Sequence, residues 1–467
     1  MESSLHTRDC ASERLAEKYS GAGPRYTSYP TVPNFSSDFP VADFIAGRRA
    51  LPRSIQPLSL YVHVPFCRDI CYYCACNKVV TREKGAGRRY LDALQREISM
   101  QSELYGQRPV TQLHWGGGTP TFLDHAEITE LMHELASHFK LSGSPQREYS
   151  IEIDPRTVDS ATMALLKGLG FNRISLGVQD FDPLVQKAIN RIQPYAKVRK
   201  LVEDIRHLGF GSLSFDLIYG LPHQDSYSIN STIDRVLELQ PDRIACYNYA
   251  HLPERFSSQR AIDRHQLPDS SAKLAMQMLL AKRLKAGGYV HIGLDHYVKP
   301  EDDLALAQQR GRLQRNFQGY SIQMAQDLVA LGASAISQVG DSYFQNEQDL
   351  DAYYQRIEAG LSPLKRGCTL TKEDRYRRHI IMGLICNLKL DLPALESQFN
   401  LDFASHFIAE LEQLEGMQQD GLVELSEDEI TVTETGRPFL RIICMVFDQY
   451  LLEPHQIQQT LRYSAAV

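Results

Sequence analysis

The stretch from Leu58 to Cys76 reads LSLYVHVPFCRDICYYCAC and places an apolar run directly before four cysteines. The run has the length and the Leu and Val content of a buried strand. Cys67, Cys71, Cys74 and Cys76 follow within ten residues, so they are expected on the loop that leaves this strand.

Similar apolar runs recur along the next part of the chain, and helical patterns separate them. The runs are Val110 to Trp115, Tyr149 to Ile153, Arg173 to Val178, Leu213 to Tyr219 and Arg243 to Tyr249, with a possible further strand at Tyr289 to Gly293. Strands that alternate with helices indicate βαβ units and a parallel sheet. Because the region is slightly short for a closed barrel of about 250 residues, the sequence predicts an α/β fold with a partial (β/α)6-type barrel.

Unusual residues follow each apolar run. After the first run come the cysteines, and after the others come Gly116-Gly117-Gly118-Thr119-Pro120, Asp154-Pro155-Arg156, Gln179-Asp180, Gly220-Leu221-Pro222 and His251-Leu252-Pro253. In parallel α/β folds the functional residues lie at the carboxyl ends of the strands. We therefore expect these loops to form one site.

The two ends of the chain differ from this central region. Residues 1–56 are predicted to form an N-terminal segment that covers the active site, and residues 57–365 the partial barrel with its extension. Residues 366–467 read mainly as helices with a hairpin-like stretch near 422–433. They predict a mainly helical, winged-helix-like C-terminal domain that carries a small β-wing.

Composition excludes several classes of protein. Of 467 residues, 43% are apolar and 23% are charged, as in ordinary globular proteins and unlike disordered chains. The net charge of −7 and the acids Glu424, Glu427 and Asp428 on the predicted wing argue against nucleic-acid binding. No apolar run approaches the ~20 residues of a membrane span, and Met1 to Glu17 lacks the pattern of a secretory signal. A cytoplasmic monomer is the default expectation.

The cysteine loop has two metal interpretations. Nine cysteines, an odd number, make a disulfide framework unlikely for such a chain. A structural zinc site usually takes two separated pairs of ligands, and no second pair follows Cys76. A cubane iron–sulfur cluster takes thiolates from one winding loop, although the C-x3-C-x2-C spacing is not that of a ferredoxin.

This spacing, with an aromatic residue at Tyr73 and a glycine triplet after the second strand, resembles the radical S-adenosylmethionine (SAM) superfamily. The resemblance implies that Cys67, Cys71 and Cys74 hold a [4Fe–4S] cluster whose fourth iron binds SAM. An electron from the cluster would then cleave SAM to a 5′-deoxyadenosyl radical.

Several longer motifs narrow the resemblance to the oxygen-independent coproporphyrinogen III oxidase family. They are YVHVPFC from Tyr61, HWGGGTPT from His114, GVQDF from Gly177, DLIYGLP from Asp216, NYAHLP from Asn248 and NFQGY from Asn316. The family resemblance implies oxidative decarboxylation of two propionates of coproporphyrinogen III to vinyl groups, which gives protoporphyrinogen IX in haem biosynthesis. It also implies an electron donor for the cluster and an external electron acceptor. A haem-binding chaperone of the same superfamily is the alternative, but there an Asp-Phe pair commonly follows the third cysteine, where this chain has Ala75-Cys76.

The family resemblance also assigns roles to single residues, and it implies two SAM molecules. Tyr61, Gly117 and Glu152 would serve the first molecule. The second would be held by Tyr73, Gly118, Thr119, Gln179, Arg191, Asp216, Ala250 and Ile336. Cys76 would be a catalytic radical or proton partner near the substrate, and the candidate clamps for the propionates are Arg25, Lys78, Arg312 and Arg315.

Each assignment has a structural alternative. Glu152 lies in an apolar strand, where a buried carboxylate needs a partner, and that partner could be a neighbouring Arg or Lys instead of SAM. The glycines could form an ordinary tight turn, Cys76 could be a small buried residue, and the four cations could be solvated. His63 and His114 are expected to be satisfied core histidines, and Tyr26 and Tyr29 either line the pocket as a lid or attach the N-terminal segment to the barrel.

Overall fold

The computed structural model describes residues 14–15, 17–19, 21–50, 54–83, 85–322 and 327–451. Cys10 and the outer ends of the first and last predicted domains lie outside the described residues. The helices are α1 (Val41–Ala50), α2 (Ala86–Tyr105), α3 (His125–His138), α4 (Ser160–Gly168), α5 (Pro183–Ala188), α6 (Tyr195–His207), α7 (Ser226–Leu239), α8 (Ser270–Ala286), α9 (Asp303–Gln309), α10 (Leu350–Glu358), α11 (Lys372–Asn387), α12 (Leu392–Phe399), α13 (Phe403–His406), α14 (Ile408–Gln419) and α15 (Leu440–Met445).

The strands include all six runs predicted for the barrel. They are β1 (Leu58–Val64), β2 (Phe66–Cys67), β3 (Val79–Val80), β4 (Pro109–Gly117), β5 (Lys140–Leu141), β6 (Glu148–Ile153), β7 (Arg173–Gln179), β8 (Ser212–Tyr219), β9 (Arg243–Asn248), β10 (Val290–Gly293), β11 (His296–Val298), β12 (Gln314–Asn316), β13 (Gly319–Ser321), β14 (Asp327–Leu331), β15 (Ile336–Val339), β16 (Ser342–Asn346), β17 (Leu364–Thr369), β18 (Lys389–Asp391), β19 (Val423–Leu425) and β20 (Glu429–Val432).

The central sheet has the order β10-β11-β9-β8-β7-β6-β4-β1-β14-β15-β16-β17. The strands from β9 to β14 in this order are parallel, and antiparallel strands extend the sheet at both edges. Over the described residues the sheet has two free ends, so it forms an open barrel, and the predicted fold class is confirmed. β14 is a seventh parallel strand that the sequence pattern did not reveal.

A second core lies in the C-terminal part of the chain. Ile380, Leu384, Phe407 and Phe447 are fully buried there, among residues of the helices that follow β17. The predicted wing is present as the pair β19–β20, and β18 adds a third strand beside β20. In the described part of the chain, no helix combines the length and the apolar character needed to cross a membrane.

The N-terminal segment packs into this second core. Tyr26 and Tyr29 are 1% and 0% exposed. The Tyr26 hydroxyl donates to Asp448 at 2.9 Å, and the Tyr29 ring lies 5.8 Å from the Tyr450 ring. Of the two roles expected for these tyrosines, their contacts agree with attachment: they attach the N-terminal segment to the C-terminal domain, and the Tyr29 backbone also bonds to Tyr343 on β16 of the central sheet.

Candidate active site

A cavity of about 440 Å³ opens inside the barrel at the carboxyl ends of the parallel strands. All four cysteines of the loop line it, and so do loop residues that follow β4, β6 and β7. The predicted site residues at this cavity are Cys67, Cys71, Tyr73, Cys74, Cys76, Lys78, Gly117, Gly118, Thr119, Glu152, Gln179, Arg191 and Asp216. The loops after β1, β4, β6 and β7 therefore meet at one site, as predicted, whereas Gly220-Leu221-Pro222 after β8 and His251-Leu252-Pro253 after β9 do not line this cavity.

The cysteine sulfurs lie among hydrogen-bond donors. Cys71 Sγ is 3.4 Å from Arg191 Nη1 and 3.5 Å from Arg156 Nη2, and Cys67 Sγ is 3.5 Å from the Thr119 hydroxyl. Burial raises the pKa of Cys67 to about 11, which outweighs the lowering by the Thr119 bond. Because the thiolate is the form that binds metal, a bound metal would have to displace the Cys67 proton.

The last two cysteines are coupled to each other. A hydrogen bond from the Cys76 thiol lowers the pKa of Cys74 despite burial, and the Lys78 ammonium lowers it further. The Cys76 side chain is exposed at the cavity, so it is not the small buried residue of the structural alternative.

Arg191 joins the cysteine loop to the loop after β6. It donates to Asp154 at 3.0 Å and to the Gly177 carbonyl at 2.6 Å, and Asp154 also accepts from Arg156 at 2.7 Å. Arg191 Nε has no hydrogen-bond partner among the described residues, so this buried guanidinium can still bind an anion from the cavity. Asp154 and Arg156 follow the third apolar run in the sequence, but no binding or catalytic role was predicted for either residue.

The glycine triplet is required by close packing. A Cβ atom on Gly116 would lie 2.9 Å from the Glu152 carboxylate, and one on Gly118 would lie 2.6 Å from the Pro65 carbonyl oxygen. Gly117 has a φ of +114°, which strongly favours glycine. The triplet therefore lets the end of β4 lie against the start of the cysteine loop, whether or not a ligand is present.

Glu152 presents its carboxylate to the cavity. Its side chain is 46% exposed, and it accepts from the Gly117 amide at 3.3 Å and from His114 Nε2 at 3.3 Å. Although burial opposes ionisation, the His114 contact and the Gly117 amide hold the pKa of Glu152 below its usual range. Among the described residues Glu152 has no Arg or Lys partner, so the salt bridge considered as its alternative is absent there.

A smaller cavity of about 190 Å³ adjoins this wall and is lined by Tyr61, His63, His114, Glu152, Phe317, Gln318, Leu328, Ser334, Ala335 and Ile336. His63 bonds to the Tyr61 hydroxyl at 3.0 Å, and His114 bonds to the Ser150 hydroxyl at 2.6 Å. Both histidines are satisfied, as expected, and His63 is buried; both also line a cavity wall. Ile336 lies beside Tyr61, although the family resemblance assigned these two residues to different SAM molecules.

Asp216 lies inside the barrel on β8. It accepts from the Ser175 hydroxyl at 2.9 Å. Burial raises the pKa of Asp216 to about 7, and the nearby Glu152 charge adds to the shift. This carboxyl group can therefore be protonated or ionised at neutral pH.

Four of the predicted residues, Arg25, Ala250, Arg312 and Arg315, line neither cavity. The Ala250 carbonyl accepts from Gln259, and Arg312 has an exposed side chain. Arg25 donates to the Asn248 carbonyl at 2.9 Å and lies 3.7 Å from Asp295.

Arg315 does not line either cavity, but its guanidinium is buried next to a cavity residue. Its Nε and Nη1 have no hydrogen-bond partner in the described part of the chain, and its guanidinium lies 4.6 Å from the Tyr320 ring. Tyr320 lines the larger cavity together with His296 and Tyr247. Tyr247, His296 and Tyr320 were not predicted as site residues from the sequence, although Tyr320 ends the NFQGY motif.

The donor set of the loop fits an iron–sulfur cluster. Three thiols line one cavity, and the Arg156 and Arg191 guanidinium groups face one of them. No group of three or more His, Cys, Asp or Glu side chains within the described ranges has the convergent geometry of a single-ion site. A tetrahedral zinc ion would need such convergence, at about 2.3 Å from each sulfur.

Comparison with known proteins agrees with this geometry. Residues 61–236 match the family model described as Radical SAM superfamily, and residues 370–439 match the HemN C-terminal domain. The barrel and its cysteine loop thus define a radical SAM protein.

Close relatives extend the match to nearly the whole chain. The oxygen-independent coproporphyrinogen III oxidase of Salmonella typhimurium is 47% identical over 96% of this chain and 97% of its own length. The enzyme of the same name from Pseudomonas aeruginosa is 48% identical over 94% of this chain and 95% of its own length. A solved structure of coproporphyrinogen III oxidase (HemN) from Escherichia coli, titled a radical SAM enzyme, has a TM-score of 0.88 at 46% identity and covers 91% of this chain and 98% of that one. The chain belongs to the oxygen-independent coproporphyrinogen III oxidase family, which favours an enzyme over the haem-binding chaperone.

Proposed function

We propose that this protein converts two propionate side chains of coproporphyrinogen III to vinyl groups and so forms protoporphyrinogen IX, without oxygen, in haem biosynthesis. The observation that carries the proposal is the single cavity in which the cysteine loop meets Glu152, Arg191 and Asp216. When bound to Cys67, Cys71 and Cys74, a [4Fe–4S] cluster would supply the electron that cleaves SAM into a hydrogen-abstracting radical.

The chain's own charged groups would orient SAM. The ionised Glu152 carboxylate can accept a hydrogen bond from the SAM ammonium group, because half of its surface is open to the cavity. At the second SAM molecule, the Arg191 guanidinium can bind the carboxylate and Asp216 can accept from a ribose hydroxyl. Charge-assisted bonds of this kind are about twice as strong as neutral ones.

The substrate propionates would be bound by cations at the other side of the cavity. Lys78 lines the cavity and donates to the Cys74 carbonyl at 3.0 Å. Arg315 lies against Tyr320 outside the cavity lining, and two of its buried nitrogens have no hydrogen-bond partner among the described residues. Aromatic side chains of Tyr247 and Tyr320 supply an apolar surface for a tetrapyrrole and exclude water from the radical step. Arg25 and Arg312 remain candidates only if the substrate extends beyond the cavity.

The proposal also covers the number of SAM molecules bound, the cellular location, the oligomeric state and the electron partners. Two SAM molecules per chain are proposed from the family resemblance, with Tyr61 and Glu152 at one and Gln179 and Arg191 at the other. Equilibrium dialysis of iron-loaded protein with labelled SAM should give a stoichiometry of two, and a stoichiometry of one would contradict this part. A cytoplasmic location, a monomeric state and the external electron donor and acceptor remain predictions.

The decisive experiment is anaerobic incubation of reconstituted protein with coproporphyrinogen III, SAM and a reductant. We expect protoporphyrinogen IX and one 5′-deoxyadenosine for each vinyl group formed. Deoxyadenosine without a vinyl product would refute the substrate and retain the SAM chemistry. Neither product, together with a stoichiometric Soret band on addition of haem, would favour the haem-binding chaperone.

A further inference from the structure

A buried carboxyl group on α2, outside both cavities, accepts a hydrogen bond from the segment that lines the smaller cavity. Glu97 lies in the middle of α2, and its carboxyl group is buried in the core with 0% exposure. It accepts from the Gly332 amide at 2.8 Å, from the Tyr353 hydroxyl at 2.6 Å and from Asn346 Nδ2 at 2.7 Å. Such buried groups need partners, and here the partners come from three separate elements after residue 330.

The Gly332 amide belongs to a short segment, Gly332–Ile336, which we call the wall turn. Ser334, Ala335 and Ile336 of this turn line the smaller cavity opposite Tyr61. The turn has φ values of +100° at Gly332 and +64° at Ser334. Residues other than glycine rarely adopt a positive φ unless the surrounding structure supports it. We therefore expect the conformation at Ser334 to depend on hydrogen bonds from outside the turn.

A second bond from α2 fixes the turn to the first strand. The Tyr90 hydroxyl accepts from the Ala333 amide at 3.0 Å and donates to the His63 carbonyl at 2.6 Å. A Cβ on Gly332 would lie 2.3 Å from that hydroxyl and 2.6 Å from the His63 carbonyl oxygen. β14 already lies beside β1, with Leu331 opposite Val62, and the Tyr90 hydroxyl adds a bridge from α2 between the wall turn and β1.

We propose that Glu97 is a positioning residue that holds the wall turn at the cofactor cavity through the Gly332 amide. It does not touch the cavity itself, and it acts through Ser334 and Ile336, which do. The part of this inference that concerns SAM rests on the proposed function, whereas the part that concerns the turn does not.

Glutamine cannot replace Glu97 in this network. Its oxygen can still accept from Gly332 and Tyr353, but its amide nitrogen would then face Asn346 Nδ2, a second donor. Rotating the Asn346 amide would remove the donor from the Gly332 carbonyl, to which Nδ2 also bonds at 2.8 Å. Glu97→Gln therefore leaves a buried donor unpaired or frees the turn.

The test measures the turn and the cofactor separately. Burial raises the pKa of Glu97 to about 7, so the comparison is made at about pH 8.5, where the carboxylate is ionised. In Glu97→Gln we then expect hydrogen–deuterium exchange at the Gly332 and Ala333 amides to rise at least about tenfold, as loss of a charged hydrogen bond implies. The Kd and KM for SAM should rise by a similar factor, while kcat stays within about threefold because the reacting groups are unchanged. Ile98→Val, one position along α2, is the matched control: it loses buried volume but makes no bond to the turn.

Each outcome decides the proposal. Exchange at the turn equal to that of Ile98→Val would overturn it, and so would faster exchange with an unchanged Kd for SAM. Should Glu97→Gln fail to fold, Tyr90→Phe removes the hydroxyl bond to Ala333 and is expected to give the same two increases. Wild-type protein that binds SAM but makes no vinyl product would refute the proposed function, and the exchange and Kd measurements would still test Glu97.

Discussion

Replacing Glu152 with glutamine should weaken SAM binding far more than it weakens the fold. The side chain is 46% exposed, and its two contacts, from the Gly117 amide and His114, are both 3.3 Å long. Glutamine keeps the shape and one acceptor oxygen, but it removes the negative charge that the low pKa maintains at neutral pH. A hydrogen bond to a charged group contributes about 1.5–3 kcal/mol, so KM for SAM should rise roughly 10- to 150-fold.

The assay is the anaerobic formation of 5′-deoxyadenosine at varied SAM, with iron content measured for each preparation. Glu148→Gln is the matched control, because Glu148 lies on the same strand and pairs with Arg173 at 2.9 Å at the other end of β6. Glu148→Gln should lower stability but leave KM for SAM within about twofold. Its position is four residues along β6 from Glu152, a distance of about 13 Å. A KM for Glu152→Gln within that same twofold of wild type would refute the ammonium contact.

Three further predictions concern the cysteine loop, the barrel interior and the N-terminal segment. Cys71→Ser should abolish iron binding after reconstitution, whereas Cys76→Ser should retain the iron content and lower vinyl formation by about 100-fold or more; equal iron loss in both would contradict these roles. Since burial and the Glu152 charge raise the pKa of Asp216 to about 7, the folded state holds this proton more tightly than the unfolded chain, so wild-type stability should fall between about pH 4 and about pH 7 in part through this group. In urea unfolding across that range, Asp216→Asn should have a shallower fall, and an unchanged slope would count against the shift. Tyr26→Phe leaves the buried Asp448 without its 2.9 Å donor and should lower the free energy of unfolding by about 1–3 kcal/mol, with no change if the N-terminal segment is not attached there.

The parallel part of the fold was predictable because buried parallel strands read as continuous apolar runs. β1 was predicted with the bounds that the structure shows, and the other five runs were correct to within one or two residues. β14 was missed because its five residues, DLVAL, are short and rich in Leu and Ala, which do not favour strands strongly.

The antiparallel extension was hidden for a different reason. β16 reads SYFQN and is buried at every position. Its polar side chains are satisfied by distant groups: Gln345 donates to the Ser334 carbonyl at 2.9 Å, and Asn346 donates to Glu97. Hydropathy cannot show a strand whose polar residues are buried by such tertiary bonds.

The same distinction separates the site residues that were found from those that were missed. The cysteines stand within ten residues of one another, and Glu152 is conspicuous as an acid in an apolar strand, so local sequence marks both. Arg156 approaches Cys71 from 85 positions away, and no local pattern marks such a contact. His296 lines the cavity from β11, an antiparallel strand that lies between β10 and β9, and no local pattern predicts its register.

The barrel fixes the cysteine loop through contacts that need no metal. The Tyr72 amide donates to the Ile189 carbonyl at 3.0 Å, and Asn190 Nδ2 donates to the Ile70 carbonyl at 2.7 Å. Fixing the backbone of one residue costs about 1–2 kcal/mol of conformational entropy. We expect these bonds to the barrel to offset that cost in the iron-free protein. Hydrogen–deuterium exchange over residues 67–81 should therefore differ by less than about tenfold between iron-free and iron-loaded protein. Exchange at the rate of an unfolded chain in the iron-free protein would show instead that the cluster orders its own loop.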